Sequence, residues 1–257
     1  MKIGLSTYSL SRAIRAGELT VVGAIRWIAE NGGEHVEVSP SGFSLEDNDT
    51  LVAEMVRAAR ESGIDIASYT IGADLKPRAD KELRAEVERL KRNVDIGAAL
   101  GVKRMRHDVI SRPIPETTLE QFERDLPTAV DACREVADHA AKVGITTSLE
   151  NHGFHFQGSD RVLRLVTAVN RPNYRLTLDV GNFLCADEEP LDAVRRLAPY
   201  ASMVHFKDFY VRRFDRAPGE GWFQSRAGNH LRGAIVGHGD MDVPAVFRAV
   251  RAAGYDG

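Results

Sequence analysis

The sequence predicts an α/β protein built as a (β/α)8 TIM barrel. Short apolar runs typical of buried strands recur along the chain, and helical patterns fill the intervals between them. Apolar strands that alternate with helices indicate parallel strands covered by helices. No Gly-rich nucleotide-binding fingerprint is present, and this favours a closed barrel over an open doubly wound sheet.

Seven strands are predicted, and their starts lie about 27 to 43 residues apart, which is the spacing of repeated strand–helix units. An eighth strand is expected after a last helix over Val243–Ala253. Because the sequence ends at Gly257, we expect the eighth strand and helix to be missing from this chain. The predicted strands are Lys2–Thr7, His35–Val38, Ile64–Thr70, Val102–Asp108, Ile145–Glu150, Tyr174–Asp179 and Ala201–Lys207.

The helices between these strands are predicted from apolar residues at three- and four-residue steps, as one face of an amphipathic helix requires. The helix before the fifth strand contains Pro127, which must lie in its first turn or kink it. Glycines such as Gly101 and Gly144 end several helices. The apolar positions are Val22, Ile25, Ile28 and Ala29, then Leu83, Val87, Leu90 and Val94, then Leu126, Val130, Cys133, Val136, Ala137 and Ala140.

We interpret residues 1–257 as one domain, because the chain contains no obvious linker and barrels of this length commonly form a single domain. One long irregular stretch, Phe209–Gly233, is predicted to be a lid or an interface segment because it carries its own aromatic side chains, Trp222 and Phe223.

Composition excludes several functional classes. The net charge is −3, which leaves no electrostatic footprint for nucleic acid, so we expect no nucleic-acid partner. No apolar run reaches the ~18 residues of a membrane span and no apolar segment follows Met1, so we expect a soluble cytoplasmic protein without a membrane partner. Two cysteines define no disulfide framework. Cys133 is predicted to lie in the core, and Cys185 to lie in the core or to line the site.

The ends of the predicted strands are polar although their first halves are apolar. The segment TSLENHG, residues 147–153, runs from an apolar strand straight into Glu150, Asn151 and His152. Asp179 and His205 end the next two strands. Because the carboxyl ends of barrel strands meet at one rim, these polar residues are predicted to form a site there.

Glu150, Asp179 and His205 are the candidate ligands of one divalent metal ion. Oxygen and nitrogen donors without thiolate suit Mg, Mn, Co or Zn. Two carboxylates brought together without a cation would force one of them to take up a proton, and a metal ion removes that conflict. The alternative for each residue alone is a helix cap or a hydrogen-bonded loop group.

Other residues at the same rim are candidates for catalysis or substrate binding. His152 and Lys207 lie two residues beyond candidate ligands, so on a strand they share the ligand's face and are candidates for proton transfer or substrate contact. His107 is a candidate substrate contact, or else part of an ion-paired rim with Arg104 and Arg106. The remaining substrate-binding candidates are Asn182, which alternatively caps the following segment, His238 between two glycines, and Trp222 over the pocket.

Five segments in this order resemble the xylose isomerase-like TIM-barrel superfamily, in its sugar phosphate isomerase/epimerase branch. The segments are LSTYS, TSLENHG, LTLDVGN, HFKD and VGHGDMD. The resemblance implies that Glu150, Asp179 and His205 hold the metal ion, that Glu150 is the first candidate base, and that His152 is its rival. The family's fourth ligand, a Glu on strand eight, has no counterpart in this sequence.

The resemblance also implies the chemistry. It implies a divalent-metal-dependent isomerase or epimerase of a keto sugar or related polyol, which removes a proton next to a metal-chelated carbonyl through an enediolate. One alternative is a metal-dependent dehydratase of a keto-cyclitol or sugar acid, and another is a non-catalytic sugar-binding barrel. DNA repair is disfavoured because Asn182 stands where that branch has a ligand His. Relatives often pair, which implies a homo-oligomer.

Overall fold

Seven parallel strands form one curled sheet in the computed structural model, which describes residues 1–216 and 218–257. Each strand pairs with the next strand along the chain, in the order β1 to β7, as repeated right-handed strand–helix units require. The α/β barrel prediction is therefore confirmed. The strands are β1 Gly4–Ser6, β2 His35–Val38, β3 Asp65–Ile71, β4 Arg104–His107, β5 Thr146–Glu150, β6 Tyr174–Asp179 and β7 Ala201–His205.

The sheet within the described residues stops at seven parallel strands, as expected for a chain without the eighth unit. Strands β1 and β7 are the two edges of the sheet and do not pair with each other. The last residues lie beside both edges, because the amide of Lys2 donates to the carbonyl of Gly257 at 3.3 Å and the hydroxyl of Tyr255 contacts the sulfur of Met203 at 3.8 Å. The barrel is therefore open on the side between β1 and β7.

Helices cover the outer face of the sheet, and one apolar core fills the space between them. Cys133 is fully buried in that core, as predicted. No helix in the described part of the chain combines the length and the apolar character that crossing a bilayer would need. The helices are α1 Ser11–Arg15, α2 Val21–Glu30, α3 Asp49–Glu61, α4 Asp80–Ala99, α5 Leu119–Ala141, α6 Ser159–Val169, α7 Pro190–Leu197 and α8 Val243–Ala252.

Pro127 lies inside helix α5 and not in its first turn. The helix begins earlier than the apolar repeat indicates, because the Thr118 side chain accepts a hydrogen bond from the amide of Gln121 and so caps the helix at that point. Of the two alternatives predicted for Pro127, the first-turn position therefore does not apply.

The segment predicted to be a long irregular loop, Phe209–Gly233, contains most of a second small sheet. Strands β8 Asp208–Arg212, β9 Phe223–Gln224 and β10 His230–Ala234 pair antiparallel in the order β8-β10-β9. Phe209 and Leu231 are buried in this sheet against Cys185, which anchors it to the barrel. The interpretation as an irregular loop was wrong for these strands, and Ala217 lies outside the described residues.

A buried charged cluster holds the loop after β5 against helix α5. His155 and Asp125 are both fully buried, with Nε2 of His155 2.9 Å from Oδ2 of Asp125. Arg112 adds an ion pair to the same carboxylate at 2.6 Å. Burial, opposed by Asp125 but reinforced by Arg161 and Arg112, lowers the pKa of His155 to about 4 from its ordinary 6.5. His155 is therefore neutral at pH 7.

Stability is predicted to depend on the protonation of His155. Below pH 6.5 His155 takes up a proton in the unfolded chain but not in the folded chain. The free energy of unfolding therefore falls as the pH falls, by up to about 1.4 kcal/mol per pH unit, until the pH reaches the folded pKa near 4. The free energy of unfolding of His155→Gln, measured by urea unfolding between pH 4 and 7, is expected to change less steeply with pH than that of the wild type. His238→Gln, at an exposed histidine in the turn between β10 and α8, is the control. An unchanged slope in His155→Gln contradicts the prediction.

Candidate metal centre

Three ionisable side chains meet where β5, β6 and β7 end. Glu150 pairs with Thr177 and Asp179 pairs with His205, so Glu150 lies two residues before Asp179 along the ladder and on the same face of the sheet. One donor atom from each of Glu150, Asp179 and His205 lies within 4.8 Å of the other two. The structure therefore brings together all three residues that the sequence predicts as ligands.

Backbone hydrogen bonds fix the orientation of Asp179. Its Oδ1 accepts from the amides of Gly181 and Asn182, each at 3.0 Å, and its Oδ2 faces Nζ of Lys207 at 3.1 Å. The side chain of Asn151 bridges β5 and β6 through two bonds to the backbone of Asp179, at 2.8 and 2.9 Å. Asn151 is thus buried and satisfied by protein, whereas its neighbours Glu150 and His152 line the cavity.

Glu150 is held by a buried arginine. Oε2 of Glu150 lies 2.6 Å from Arg106, and the same Arg106 nitrogen lies 2.7 Å from Asp108. Asn182 donates to the other oxygen, Oε1, at 3.1 Å. Burial alone would raise the pKa of Glu150, but Arg106 and then His205 outweigh it and hold that pKa well below its usual value. Glu150 is therefore an ionised carboxylate and a weak base.

Glu37, on β2, determines which nitrogen of His205 is available. Oε2 of Glu37 lies 2.9 Å from Nε2 of His205, while Nδ1 of His205 faces Oε1 of Glu150 at 3.9 Å. A carboxylate on one ring nitrogen orients the imidazole so that the other nitrogen faces a metal ion. Burial lowers the pKa of His205, but Glu37 and Glu150 outweigh it, and the pKa lies well above its ordinary value.

Lys207 stands beside Asp179 at the rim. Its Nζ donates to Oδ1 of Asn182 at 2.9 Å and lies 3.1 Å from Asp179. Burial lowers the pKa of Lys207, but the carboxylates of Asp179 and Glu150 reverse the shift and raise it. Burial raises the pKa of Asp179, and Lys207 only partly offsets this. Lys207 therefore stays protonated when the pH is varied around neutrality.

These residues line a cavity of about 900 Å³ that opens toward the gap between β1 and β7. His152 projects into it with half of its side chain exposed, and its Nδ1 lies 3.6 Å from Oδ1 of Asp108. Met203, Phe206 and Phe247 add an apolar wall. The cavity therefore combines charged and polar side chains with an apolar wall.

The family description "Xylose isomerase-like TIM barrel" matches residues 25–257. The chain belongs to the xylose isomerase-like TIM-barrel family. Among curated relatives, it is similar to an inosose dehydratase of Lacticaseibacillus casei, 25% identical over 144 residues that cover 56% of this chain and 47% of the relative. This barrel thus matches about half the length of that relative.

Solved structures share the fold of this xylose isomerase-like barrel. A D-psicose 3-epimerase with D-tagatose from Clostridium cellulolyticum H10 has a TM-score of 0.75 at 18% identity, covering 100% of this chain and 83% of the other. The IOLI protein with a bound zinc atom also has a TM-score of 0.75, at 16% identity, covering 100% of this chain and 87% of the other. At these identities the likeness shows the fold alone.

Three residues predicted to bind substrate lie away from the cavity of this xylose isomerase-like barrel. His107 is fully buried on the opposite face of β4 from Arg106, because side chains alternate along a strand, and its Nδ1 lies 2.8 Å from the carbonyl of Asp108. Trp222 lies under the guanidinium of Arg212, 5.7 Å from the ring centre. His238 is exposed in the turn between β10 and α8. Asn182, in contrast, contacts Glu150 and Lys207.

The sequence did not reveal the roles of Arg106 and Glu37. Arg106 was expected only as part of an ion-paired rim with His107, and Glu37 was not among the candidate residues. Both side chains face the cavity, and both are buried with charged partners on other strands. The available signal was the spacing of Arg106 and Asp108, two residues apart at the end of β4 and therefore on one face.

Glu37→Gln is predicted to lower the pKa of His205, because the mutation removes the nearest negative charge and replaces the acceptor of the Nε2–H with an amide. Imidazole chemical shifts of metal-free protein, followed by NMR as pH is raised, measure this pKa. Glu30→Gln, at an exposed position of helix α2, is the matched control and leaves it unchanged. A His205 pKa equal to or above the wild-type value in Glu37→Gln would refute the orienting contact.

Proposed function

We propose that this chain is a divalent-metal-dependent isomerase or epimerase of a keto sugar or related polyol, acting by proton removal next to a carbonyl. One observation carries the proposal. The donor atoms of Glu150, Asp179 and His205 lie within 4.8 Å of one another, and His152 and Lys207 line the same cavity. Family membership supports the same chemistry, since the similar proteins include a sugar epimerase.

The residues present fit a divalent ion. Glu150 and Asp179 supply oxygen and His205 supplies Nδ1, a donor set that suits Mn, Mg, Co or Zn. Four carboxylates surround the site and only two permanent cations, Arg106 and Lys207, face them, which leaves an excess of two negative charges when His205 is neutral. When bound, the ion supplies Lewis-acid polarisation of a carbonyl and a neighbouring hydroxyl.

His152 is the group that we propose takes the proton. Glu150 is poorly suited, because the buried ion pair with Arg106 depresses its basicity. His152 is half exposed in the cavity, and the carboxylate of Asp108 near Nδ1 leaves Nε2 for the substrate. An imidazole with a free ring nitrogen that faces the substrate can act as a general base.

Lys207 is the proposed partner of His152, and it lies beside Asp179 in the same cavity. Its ammonium group is held in place by Asp179 and Asn182 and stays protonated at neutral pH. A fixed cation at this position stabilises the negative charge that develops on oxygen as the proton leaves carbon. Asn182 contacts both Lys207 and Glu150, so one amide side chain fixes the position of the ammonium group relative to Glu150.

A dehydratase is the second candidate, and the similarity to an inosose dehydratase favours it. The first step is the same proton removal by His152. The two reactions differ afterwards, because a dehydratase protonates and releases a neighbouring hydroxyl, whereas an isomerase returns the proton to carbon. A sugar-binding barrel without catalysis is the third candidate, and it would show neither reaction.

Metal binding tests the proposed site. We expect one equivalent of Mn²⁺ or Zn²⁺ per chain, measured by competition with a chromophoric chelator. Asp179→Asn is expected to weaken this binding by more than about 100-fold, since even outer-shell changes cost 10- to 100-fold. Asp131→Asn, on the exposed face of helix α5, is the matched control. Equal affinity in Asp179→Asn and wild type would place the ion elsewhere.

Solvent deuterium exchange tests the reaction. The metal-loaded protein is expected to incorporate deuterium from ²H₂O next to the carbonyl of one member of a panel of ketoses and keto-cyclitols. His152→Gln is expected to slow incorporation about 10²- to 10⁴-fold with metal content unchanged. His139→Gln serves as the control. Product mass separates the candidates, because water is lost only in dehydration. Exchange at the wild-type rate in His152→Gln would remove His152 from the role of base.

A further inference from the structure

The loop that follows β5, residues 151–158, carries the proposed base His152, and we call it the His152 loop. His152 pairs with Phe156 in an isolated antiparallel bridge. Between them, Gly153 and Phe154 have positive φ angles of 77° and 63°. Two successive positive φ angles reverse the chain tightly. This turn therefore fixes the direction in which the His152 side chain leaves the backbone.

Phe154 is held in a backbone conformation that a bulky residue avoids. In the left-handed region its Cβ approaches a backbone carbonyl, so the surroundings must stabilise the conformation. The amide of Phe154 donates to Oε1 of Gln157 at 2.5 Å, and its side chain packs against the cluster of Cys185, Phe209 and Leu231. Residues that are strained in this way and held by their surroundings are concentrated at functional sites.

Gln157 joins the His152 loop to the segment that follows β6. Its Nε2 donates to the carbonyl of Asn182 at 2.7 Å, while its Oε1 accepts from the amide of Phe154. Gln157 is only 2% exposed, so water has little access to either end of the amide. One buried side chain therefore bridges two loops that follow neighbouring strands.

Asn182 carries the opposite side of the proposed site. Its Oδ1 accepts from Nζ of Lys207 at 2.9 Å, its Nδ2 donates to Glu150 at 3.1 Å, and its backbone amide donates to Asp179 at 3.0 Å. The residue whose carbonyl accepts from Gln157 is thus the residue that places the ammonium group. A continuous series of hydrogen bonds therefore links the loop of the proposed base to the proposed cation.

Other contacts hold different parts of the His152 loop. Asn151 ties the start of the loop to β6, and the carbonyl of Gly153 accepts from the amide of Arg112 at 3.4 Å, which ties the turn to the loop after β4. Gln157 instead connects the turn to the segment after β6. Within the described part of the chain, its side chain neither lines the cavity nor bonds to a candidate metal ligand.

We propose that Gln157 is a positioning residue, which holds the His152 loop against the segment after β6 so that His152 and Lys207 keep one spacing across the cavity. This role rests on the proposed function, which assigns proton removal to His152 and stabilisation of the developing charge to Lys207. Groups of this kind must be held within about 0.5 Å of the reactive geometry, and buried neighbours with fixed hydrogen bonds provide that precision.

Gln157→Met keeps the length of the side chain and removes both hydrogen bonds. In metal-free protein the imidazole ring of His152 is expected to become more mobile, as measured by ¹³C relaxation of the ring. In metal-loaded protein the kcat for deuterium incorporation into the ketose that the wild type uses is expected to fall about 10²-fold with KM unchanged. A displacement of about 1 Å costs a factor of this size while the substrate still binds.

Asn173→Leu is the matched control. The side-chain amide of Asn173 donates to two backbone carbonyls, those of Ala137 at 2.7 Å and Ile145 at 3.2 Å. Asn173 directly precedes β6 and so lies at the opposite end of the barrel from the metal centre. The control is expected to have a lower free energy of unfolding in urea, with the mobility of the His152 ring and kcat unchanged.

A structural role alone would make Gln157→Met behave as the control does, with lower stability but with wild-type ring mobility and kcat, and that result overturns the proposal. If Gln157→Met does not fold, hydrogen exchange of the wild type decides, because the amide of Phe154 has the Gln157 side chain as its acceptor. Protection of this amide together with an ordered His152 ring supports the positioning role. Exchange at the rate of an unstructured peptide overturns it.

Failure of the positioning role and failure of the proposed function give different results. Ring mobility is measured without metal or ketose. A ring that becomes more mobile in Gln157→Met, while the wild type exchanges deuterium into no ketose or keto-cyclitol, supports the positioning contact and overturns the proposed function. A ring of unchanged mobility in a folded Gln157→Met protein overturns the positioning role even when the wild type is active.

Discussion

The parallel register of β5, β6 and β7 is the constraint on which the site depends. Because Glu150 pairs with Thr177 and Asp179 pairs with His205, all three side chains leave the sheet on one face, with Glu150 two residues before Asp179 along the ladder. Side chains that leave neighbouring parallel strands on the same face lie close together. A slip of one residue in β6 would send the Asp179 side chain to the helix side of the sheet.

These charged groups can be buried together only because each one has a partner of opposite sign. An unpaired carboxylate would be driven to take up a proton. Arg106 balances Glu150 and Asp108, Lys207 balances Asp179, and Glu37 balances His205. Among these pairs the four carboxylates outnumber the two permanent cations, Arg106 and Lys207. Pairing with Arg106 also holds the pKa of Glu150 below its usual value, which is why His152 is the proposed base.

The open side of the barrel and the small antiparallel sheet shape access to the rim. Between β1 and β7 the cavity is bordered by apolar side chains, and on another side the sheet of β8, β9 and β10 is anchored through Phe209, Leu231 and Cys185. Asp208 holds the turn after β10, since its carboxylate accepts from the amides of Gly237 and Gly239. Gly239 is required there, because a Cβ would lie 2.2 Å from Oδ1 of Asp208.

The sequence by itself determined the alternation of strands and helices and the three polar residues that meet at the rim, because strand periodicity and polar strand ends are local patterns. It did not determine the small antiparallel sheet, whose short strands carry no regular apolar repeat. Nor did it reveal that His107 faces the helices, because Lys103, Arg104 and Arg106 obscured the alternation of β4. Tertiary structure alone decided the partners: Glu37 and His205 lie 168 positions apart, and Arg106 and Glu150 lie on different strands. Which charge neutralises which is a matter of distance in space, and sequence spacing carries no record of it.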